Sequence, residues 1–94
     1  MERGKVKAVI TIVGRDQVGI VAMVSGILAA NGVNVLNINQ NILDGFFNML
    51  MISDISKSKV SLKELQQVLK EKGQEIGLDI KVQHEDIFNI MHRI

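Results

Sequence analysis

The stretch that decides the fold is residues 33–56, VNVLNINQNILDGFFNMLMISDIS. Its first part alternates in polarity, with an apolar face and an amide face: Leu36, Ile38 and Ile42 against Asn37, Asn39 and Asn41. Asp44-Gly45 is the two-residue loop that tight hairpins favour, because both of its positions need a positive φ. The apolar run after this loop suggests a strand buried on both faces. We therefore predict an antiparallel hairpin with strands at 33–43 and 46–56.

Helical patterns lie on both sides of this hairpin. In residues 17–31 apolar side chains recur at helical spacing, and Gly32 follows as a helix stop. Residues 61–64, SLKE, form a capping box that opens a second helix. Gly73 is expected to weaken this second helix and Gly77 to end it. The core-facing residues predicted for the two helices are Ile20, Val24, Ile27, Leu28, Leu62, Leu65, Leu69 and Ile76.

The outermost patterns are strands. Residues 5–13, KVKAVITIV, are β-branched and place Val6, Ala8, Ile10 and Ile12 on one face. Residues 78–85, LDIKVQHE, have an inner face of Leu78, Ile80 and Val82. With right-handed crossovers this order predicts an α+β, ferredoxin-like βαββαβ fold, a four-stranded antiparallel sheet with two helices on one face. Residues 86–94, DIFNIMHRI, add a short amphipathic C-terminal helix with Ile87, Ile90, Met91 and Ile94 at helical spacing.

Composition narrows the function classes. The 94 residues make a single domain, 1–94, with a core at about 5–85. A net charge of +1, with basic and acidic residues interspersed, gives no electrostatic signature of nucleic-acid or anionic-membrane binding. The absence of cysteine excludes disulfides, thiol nucleophiles and thiolate zinc sites. The apolar run before Arg15 is too short for a signal peptide or a membrane span, which predicts a cytoplasmic protein.

The stretch VGRDQVGI, residues 13–20, marks the corner where the first strand meets the first helix. The first turn of a helix has unpaired backbone N–H groups and a partial positive charge. Gly14 and Gly19 remove side chains there, so a carboxylate or phosphate could approach the backbone. A tight corner in which Asp16 caps the helix is the alternative interpretation.

Two stretches resemble the ACT domain family, small-molecule-sensing modules attached to many amino-acid metabolic enzymes. GRDQVGI, residues 14–20, resembles the Asp-x-x-Gly corner of these domains, and ANGVNVLNIN, residues 30–39, resembles the beginning of their second strand. The order and lengths of the elements match over about residues 5–85. The resemblance is closest to small stand-alone bacterial and archaeal ACT proteins, and looser to the ACT-type regulator of the glycine cleavage system.

The resemblance implies an amino-acid site at a subunit interface. The ligand carboxylate would meet the N–H groups of residues 17–20, and its ammonium group would be shared by Asp16 and the second chain's Asn34. The implied ligand-binding residues are Gly14, Asp16, Gln17, Val18, Gly19, Ile20 and Asn34. The sequence departs from the family pattern twice, because Gly14 stands where one well-known member has a histidine and Val18 replaces the usual proline.

The predicted topology adds a geometric argument for a dimer. The first two strands run parallel, so Asp16 follows the end of one and Asn34 starts the other. A strand of about eight or nine residues spans roughly 25–30 Å, too far for one amino acid to bridge. If both residues contact one ligand, they must come from two chains. The apolar run at 46–52 and the tail at 86–94 also need covering, although the tail could fold back on its own sheet.

Three further groups of residues have a functional and a structural interpretation. The row of amide side chains on the second strand, which we call the amide row (Asn37, Asn39 and Asn41), could line a ligand groove or form a solvated or interface face of the sheet. Arg15 could meet an anionic ligand or be an exposed loop arginine. A metal could be considered at four residues near the C-terminus, His84, Glu85, Asp86 and His92. They straddle a strand end and a helix without a supporting motif, so no metal site is predicted.

Two other functions of this architecture fit less well. Acylphosphatases need an arginine at the helix entrance and an asparagine on the third strand. Asn48 meets the second requirement, but residues 19–26, GIVAMVSG, contain no arginine. RNA binding needs aromatic residues displayed on the open sheet face, and the three phenylalanines have no basic surround.

The sequence therefore predicts a non-catalytic, allosteric regulatory protein. It would form a homodimer or higher oligomer, bind a small amino acid and act on an unidentified effector protein. No cofactor, metal, nucleic acid or membrane is expected to take part. The alternatives are a dimeric assembly module that binds no ligand and, less favoured, an acylphosphatase-like hydrolase.

Overall fold

The computed structural model describes residues 6–91, with side chains through residue 88. Its elements are β1 (Lys7–Arg15), α1 (Ile20–Ala30), β2 (Asn34–Leu43), β3 (Phe46–Asp54), α2 (Leu62–Glu75), β4 (Leu78–His84) and α3 (Glu85–Met91). The strands form one sheet in the order β2-β3-β1-β4, and every neighbouring pair is antiparallel. The predicted ferredoxin-like βαββαβ fold, with its short C-terminal helix, is confirmed.

The central hairpin forms as its turn residues predict. Asp44 and Gly45 have φ values of 52° and 79°, the left-handed conformation that a two-residue turn requires. The pairing of β2 with β3 runs from Leu43 opposite Phe46 at the turn to Asn34 opposite Asp54 at the far end. One bulge interrupts it, between Val35 and Asn37.

The core lies between the helices and one side of the sheet. Most of the predicted inner-face residues of β1, β4 and the helices are buried there, among them Ile10, Ile12, Val24, Leu28, Leu65, Leu69 and Ile80. Val6 is not one of them, because it precedes β1 and is 38% exposed, and Ile27 and Leu62 are only partly buried. β1 extends two residues further than predicted, to Arg15, and α1 begins later, at Ile20. Ile76 is not part of the core, because α2 ends at Glu75 and leaves Ile76 exposed in the turn that follows.

The hairpin is less buried than its apolar sequence suggests. In β3 only alternate residues are buried, namely Phe47, Met49, Met51 and Ser53. The prediction that this strand is buried on both faces was therefore wrong for a single chain. β2 is an edge strand, and Ile38 and Ile42 remain 42% and 50% exposed although their cross-strand partners face the core. Apolar side chains thus remain partly exposed on both faces of the hairpin.

We call the side of the sheet away from α1 and α2 the open face. Its central residues, by strand register, are Thr11 and Val13 of β1, Asn48, Leu50 and Ile52 of β3, and Asn37, Asn39 and Asn41 of β2. The amide row therefore lies opposite the core, as predicted.

The C-terminal helix packs on one end of the open face. Val9 also belongs to this face, yet it is only 2% exposed and stands apart from the main core cluster. α3 contacts β1 and β4 of its own chain, which explains how Val9 is buried. Of the two alternatives for the tail, the structure therefore favours folding back on its own sheet. Ile87 remains half exposed, and Ile94 lies outside the described residues.

Two glycines provide space for packing. Residues 61–64 form the predicted capping box, and α2 continues beyond Gly73. A Cβ atom on Gly73 would lie 2.8 Å from the Leu78 carbonyl oxygen and 2.9 Å from Ile80 Cγ1. Gly73 therefore lets α2 approach β4 closely, which corrects its prediction as a weak point. Gly77, with φ 76°, follows the end of the helix as predicted.

Candidate functional site

The candidate site is the corner between β1 and α1. Gly19 is the N-cap residue, with φ 91°, and a Cβ atom on it would meet nothing within 4 Å. Its left-handed conformation favours glycine, and the space beside it is open. The first helical hydrogen bond runs from Met23 N–H to the Gly19 carbonyl at 2.9 Å. The N–H groups of residues 20–22 precede this bond, so the available donors lie later than the expected range of 17–20.

Asp16 does not cap the helix. No side-chain hydrogen bond caps Gly19, and the carboxylate of Asp16 makes no hydrogen bond or ion pair within residues 6–91. Its backbone N–H instead donates to the Gly45 carbonyl at 2.8 Å, which joins the corner to the hairpin turn. The cap interpretation of Asp16 is therefore wrong, and its exposed carboxylate is available to a ligand.

Gln17 joins the same corner to the turn between α2 and β4. Its Nε2 donates to the carbonyl of Ile76 at 2.9 Å, in the turn between α2 and β4, and lies 3.5 Å from the Arg15 carbonyl. Val18 makes the tip of the corner and is fully exposed. The backbone of the corner is thus held at both of its sides, by the hairpin turn and by the α2–β4 turn.

Gly14 has a packing role in its own chain. A Cβ atom there would lie 2.5 Å from Leu78 Cδ2 and 3.1 Å from the Gly77 carbonyl oxygen. The space that Gly14 leaves is therefore filled by β4, and of the two glycines of the corner Gly19 is the one that leaves open space.

A groove of about 310 Å³ begins at this corner. One wall is the first turn of α1, residues 20–22, and another is the helix-facing side of the hairpin, Gln40, Ile42 and Phe47. Asp16, Gln17 and Gly19 close its end. This volume is at the small end of the range for ligand sites. Gln40, Ile42 and Phe47 were not among the ligand-binding residues that the sequence predicted.

Asn34 is not near this groove in the same chain. It pairs with Asp54 at one end of the hairpin, whereas Asp16 bonds to Gly45 at the other end. The nine residues of β3 between these ends correspond to about 30 Å. Within a single chain, Asp16 and Asn34 are therefore too far apart to contact the same amino acid, as the predicted topology requires.

The two edge strands differ in their protection. On β4, Gln66 Nε2 donates to the Val82 carbonyl at 2.7 Å, and the strand includes the charged residues Asp79 and Lys81. β2 contains no charged residue between Asn34 and Leu43, and among the described elements only β3 pairs with it. A long, uncharged edge strand is a template for pairing with another strand. The groove reaches this same edge, through Gln40 and Ile42.

The other residues considered do not assemble a second site. Arg15 lies over the Phe46 ring, 5.7 Å from its centre, and Asn48 lines a depression on the open face, so neither lines the corner groove. The requirements of an acylphosphatase are not met there. His84 Nδ1 accepts a hydrogen bond from the Asp86 N–H at 3.1 Å. Within residues 6–91 no three histidine or carboxylate residues could hold a metal ion; His92 lies outside that range.

Membrane insertion through a helix finds no support in the described part of the chain. None of its three helices has the length and apolar character needed to cross a bilayer.

Comparisons with known proteins cover nearly the whole chain. A family model described as an ACT domain matches residues 7–83. A UPF0237 protein of Clostridium perfringens is 58% identical over 87 residues, which make up 93% of this chain and 98% of the relative. The solved ACT domain protein from Streptococcus pneumoniae has a TM-score of 0.76 at 35% identity, over 95% of this chain and 97% of that one. A proposed transcriptional repressor of the glycine cleavage system shares the fold, with a TM-score of 0.73 at 23% identity over 85% of this chain and 46% of its own.

Proposed function

Since this chain belongs to the ACT domain family, we propose that it is a homodimeric regulatory protein that binds a small amino acid at the β1–α1 corner. ACT domains are ligand-binding regulatory modules. The observation that carries the proposal is the corner groove itself, which combines free helix N–H groups, an unengaged Asp16 carboxylate and an opening at an unprotected strand edge.

Two parts of the groove lining suit the two charges of an amino acid. The N–H groups of residues 20–22 and the positive end of α1 favour the ligand carboxylate. The Asp16 carboxylate, at the end of the groove, favours its ammonium group. Gln40, Ile42 and Phe47 would then contact the ligand side chain, and the small volume favours a small amino acid.

The dimer is proposed to form through the β2 edge. Two copies of β2 pair antiparallel about a two-fold axis, so the start of one strand lies beside the end of the other. With the axis near Ile38, the partner subunit's Asn34 lies beside the Asn41–Ile42 end of β2, near the mouth of the groove. By register Asn34 begins on the open-face side, before the bulge, so it reaches the ligand only around the strand end. Its role is therefore tested separately from that of Asp16.

Regulation in this proposal is a shift between assembly states. A ligand shared by two chains stabilises the arrangement that binds it, by no more than its difference in affinity between the states. An effector protein in the cytoplasm reads that arrangement, and the chain itself performs no catalysis.

The first experiment is a thermal-shift screen against the twenty amino acids, with the molecular mass measured in parallel. A ligand at about a hundred times its Kd stabilises by roughly 2.7 kcal/mol, which raises Tm by several degrees in a domain of this size. A selective shift on a dimer supports the proposal and identifies the ligand. A dimer without any shift would point to the assembly module, and a monomer would contradict the shared site.

Asp16→Asn tests the site with a nearly isosteric change. Loss of a charged hydrogen bond, about 1.5–3 kcal/mol, weakens ligand binding by roughly 10–100-fold. Asp79→Asn is the matched control, since Asp79 is also exposed, on β4, where its carboxylate lies 3.8 Å from Lys81 Nζ. If Asp16→Asn bound the ligand as tightly as the control, the assigned ammonium contact would be wrong. Asn34→Ala, measured in the same way, tests whether Asn34 of the partner subunit contributes to ligand binding.

A further inference from the structure

Gln40 places a polar side chain in an apolar row on the edge strand. Its cross-strand partner on β3, Met49, is buried in the core, and so are the partners of Ile38 and Ile42. Residues that stand opposite each other on neighbouring strands lie on the same face of the sheet. Gln40 therefore stands between two isoleucines on the helix-facing side of β2, where another apolar residue would continue the row.

The amide of Gln40 is available to a ligand. It lines the corner groove beside Ile42 and Phe47, and it makes no hydrogen bond within the described part of the chain. The other amide of the lining, that of Gln17, is already engaged, because its Nε2 donates to a carbonyl of the α2–β4 turn at 2.9 Å. A ligand side chain that enters beside Gln40 displaces water from it. A hydroxyl or amide on that side chain replaces the lost hydrogen bond, whereas a methyl group leaves Gln40 unpaired.

The charge of the groove restricts the ligand in a second way. Among the described residues that line it, Asp16 is the one with an ionised side chain. In the proposed binding mode Asp16 takes the ligand's ammonium group, and the first turn of α1 takes its carboxylate. A second carboxylate on the ligand would find no cation in the lining, and a second ammonium group would find no further carboxylate. Because an unpaired charge is costly to desolvate, the lining favours a neutral side chain.

We propose that the groove selects a neutral amino acid whose side chain carries a hydroxyl or amide group, and that Gln40 distinguishes it from an apolar amino acid of the same size. This inference rests on the amino-acid site of the proposed function. Gln40 donates through Nε2 and accepts through Oε1, so it can pair with either group. Ile42 and Phe47 would contact the carbon atoms of the same ligand side chain.

Pairs of amino acids with nearly equal shape separate this hydrogen bond from the size of the side chain. Serine and alanine, threonine and valine, and asparagine and leucine are such pairs. One neutral hydrogen bond corresponds to roughly a 3–10-fold difference in Kd. We expect the unmodified protein to bind the polar member of a pair more tightly than the apolar member by this factor, as measured by titration calorimetry.

Gln40→Met tests the residue itself, because it removes the amide and keeps an unbranched side chain of similar length. The readout is the ratio of the two Kd values of a pair in the same variant, since a change in folding or dimerisation would shift both values together. We expect Gln40→Met to lose the preference for the polar member. Gln74→Met, the same substitution on the exposed side of α2, should retain it.

The other outcomes separate this inference from the proposed function. Equal binding within each pair, or a preference that survives in Gln40→Met, would overturn the role of Gln40 and leave the amino-acid site standing. Binding confined to glycine, or to apolar or charged amino acids, would overturn the selected class of ligand in the same way. If none of the twenty amino acids bound, the proposed function itself would be contradicted, and this inference with it.

Discussion

The backbone N–H of Asp16 donates to the carbonyl of Gly45 at 2.8 Å, so the β1–α1 corner is bonded to the turn of the β2–β3 hairpin. This bond fixes the position of the corner relative to the hairpin turn. Gln17 makes the corresponding bond on the other side, to Ile76. The corner is consequently bonded to two chain segments that are distant from it in sequence.

Gly19→Ala is expected to destabilise the protein by about 1–2 kcal/mol. The space around Gly19 is open, so the cost comes from its φ of 91° and not from a clash. Gly19→Asn should cost less, because asparagine tolerates the left-handed region better than alanine. Urea unfolding of the unmodified protein and the two variants measures both differences. If Gly19→Ala were as stable as the unmodified protein, the corner would have to adopt another conformation in solution.

Gln17→Ala is expected to cost about 0.5–1.5 kcal/mol, the usual net value of one hydrogen bond. The lost bond joins residues that are far apart in sequence, so the corner and the α2–β4 turn should both exchange amide hydrogens faster. Gln74→Ala, on the exposed side of α2, is the control and should change neither property. Faster exchange confined to the corner would show that Ile76 is held by other contacts.

Gly73→Ala should destabilise the protein, although alanine has a higher helix propensity than glycine. In a free helix alanine is favoured over glycine by about 1 kcal/mol. At residue 73 the added methyl group meets the Leu78 carbonyl and Ile80, and overpacking of this kind costs about 1–3 kcal/mol. Gly26→Ala is the opposite case, a helical glycine with open space, and should stabilise by about 0.5–1 kcal/mol. Thermal unfolding that moves both variants the same way would contradict the close approach of α2 to β4.

Ile38→Cys is expected to give a disulfide-linked dimer under mild oxidation. The natural chain has no cysteine, so a single substitution reports one position without background. At the two-fold axis of an antiparallel pair, identical residues face each other at about 4.5–5.5 Å between Cα atoms, within disulfide range. Lys81→Cys, on the protected β4 edge, should remain unlinked. Equal cross-linking at both edges would mean random collision instead of a β2 interface.

Local signals predicted much of the fold. The Asp-Gly turn, the capping box at 61–64 and the alternation in β4 each depend on residues close in sequence, and each is confirmed. Gly14 and Gly73 were misread because their neighbours, on β4, are set by tertiary packing. The presence of a glycine in the sequence does not distinguish a backbone that is open to a ligand from one that another strand or helix approaches closely.

The candidate site was predicted only in part for the same reason. The position of the corner follows from its strand-to-helix transition, and the structure leaves open space beside Gly19. The choice between Asp16 and Gly19 as N-cap depends on where β1 ends, and β1 ends two residues later than its apolar pattern. The lining by Gln40 and Ile42 could not be anticipated, because it depends on how far α1 extends over the edge strand.

The unequal edges of the sheet also limit how far the chain can polymerise. A sheet with two receptive edges can add strands at both ends and grow into a filament, as amyloid does. Here one edge is blocked by the bond from Gln66 to Val82 and by the charges beside it. Once the receptive edge has been used, the resulting sheet presents only blocked edges. In the proposed dimer, strand addition would therefore end after one step, which would protect a chain with so uncharged a strand from fibre formation at high concentration.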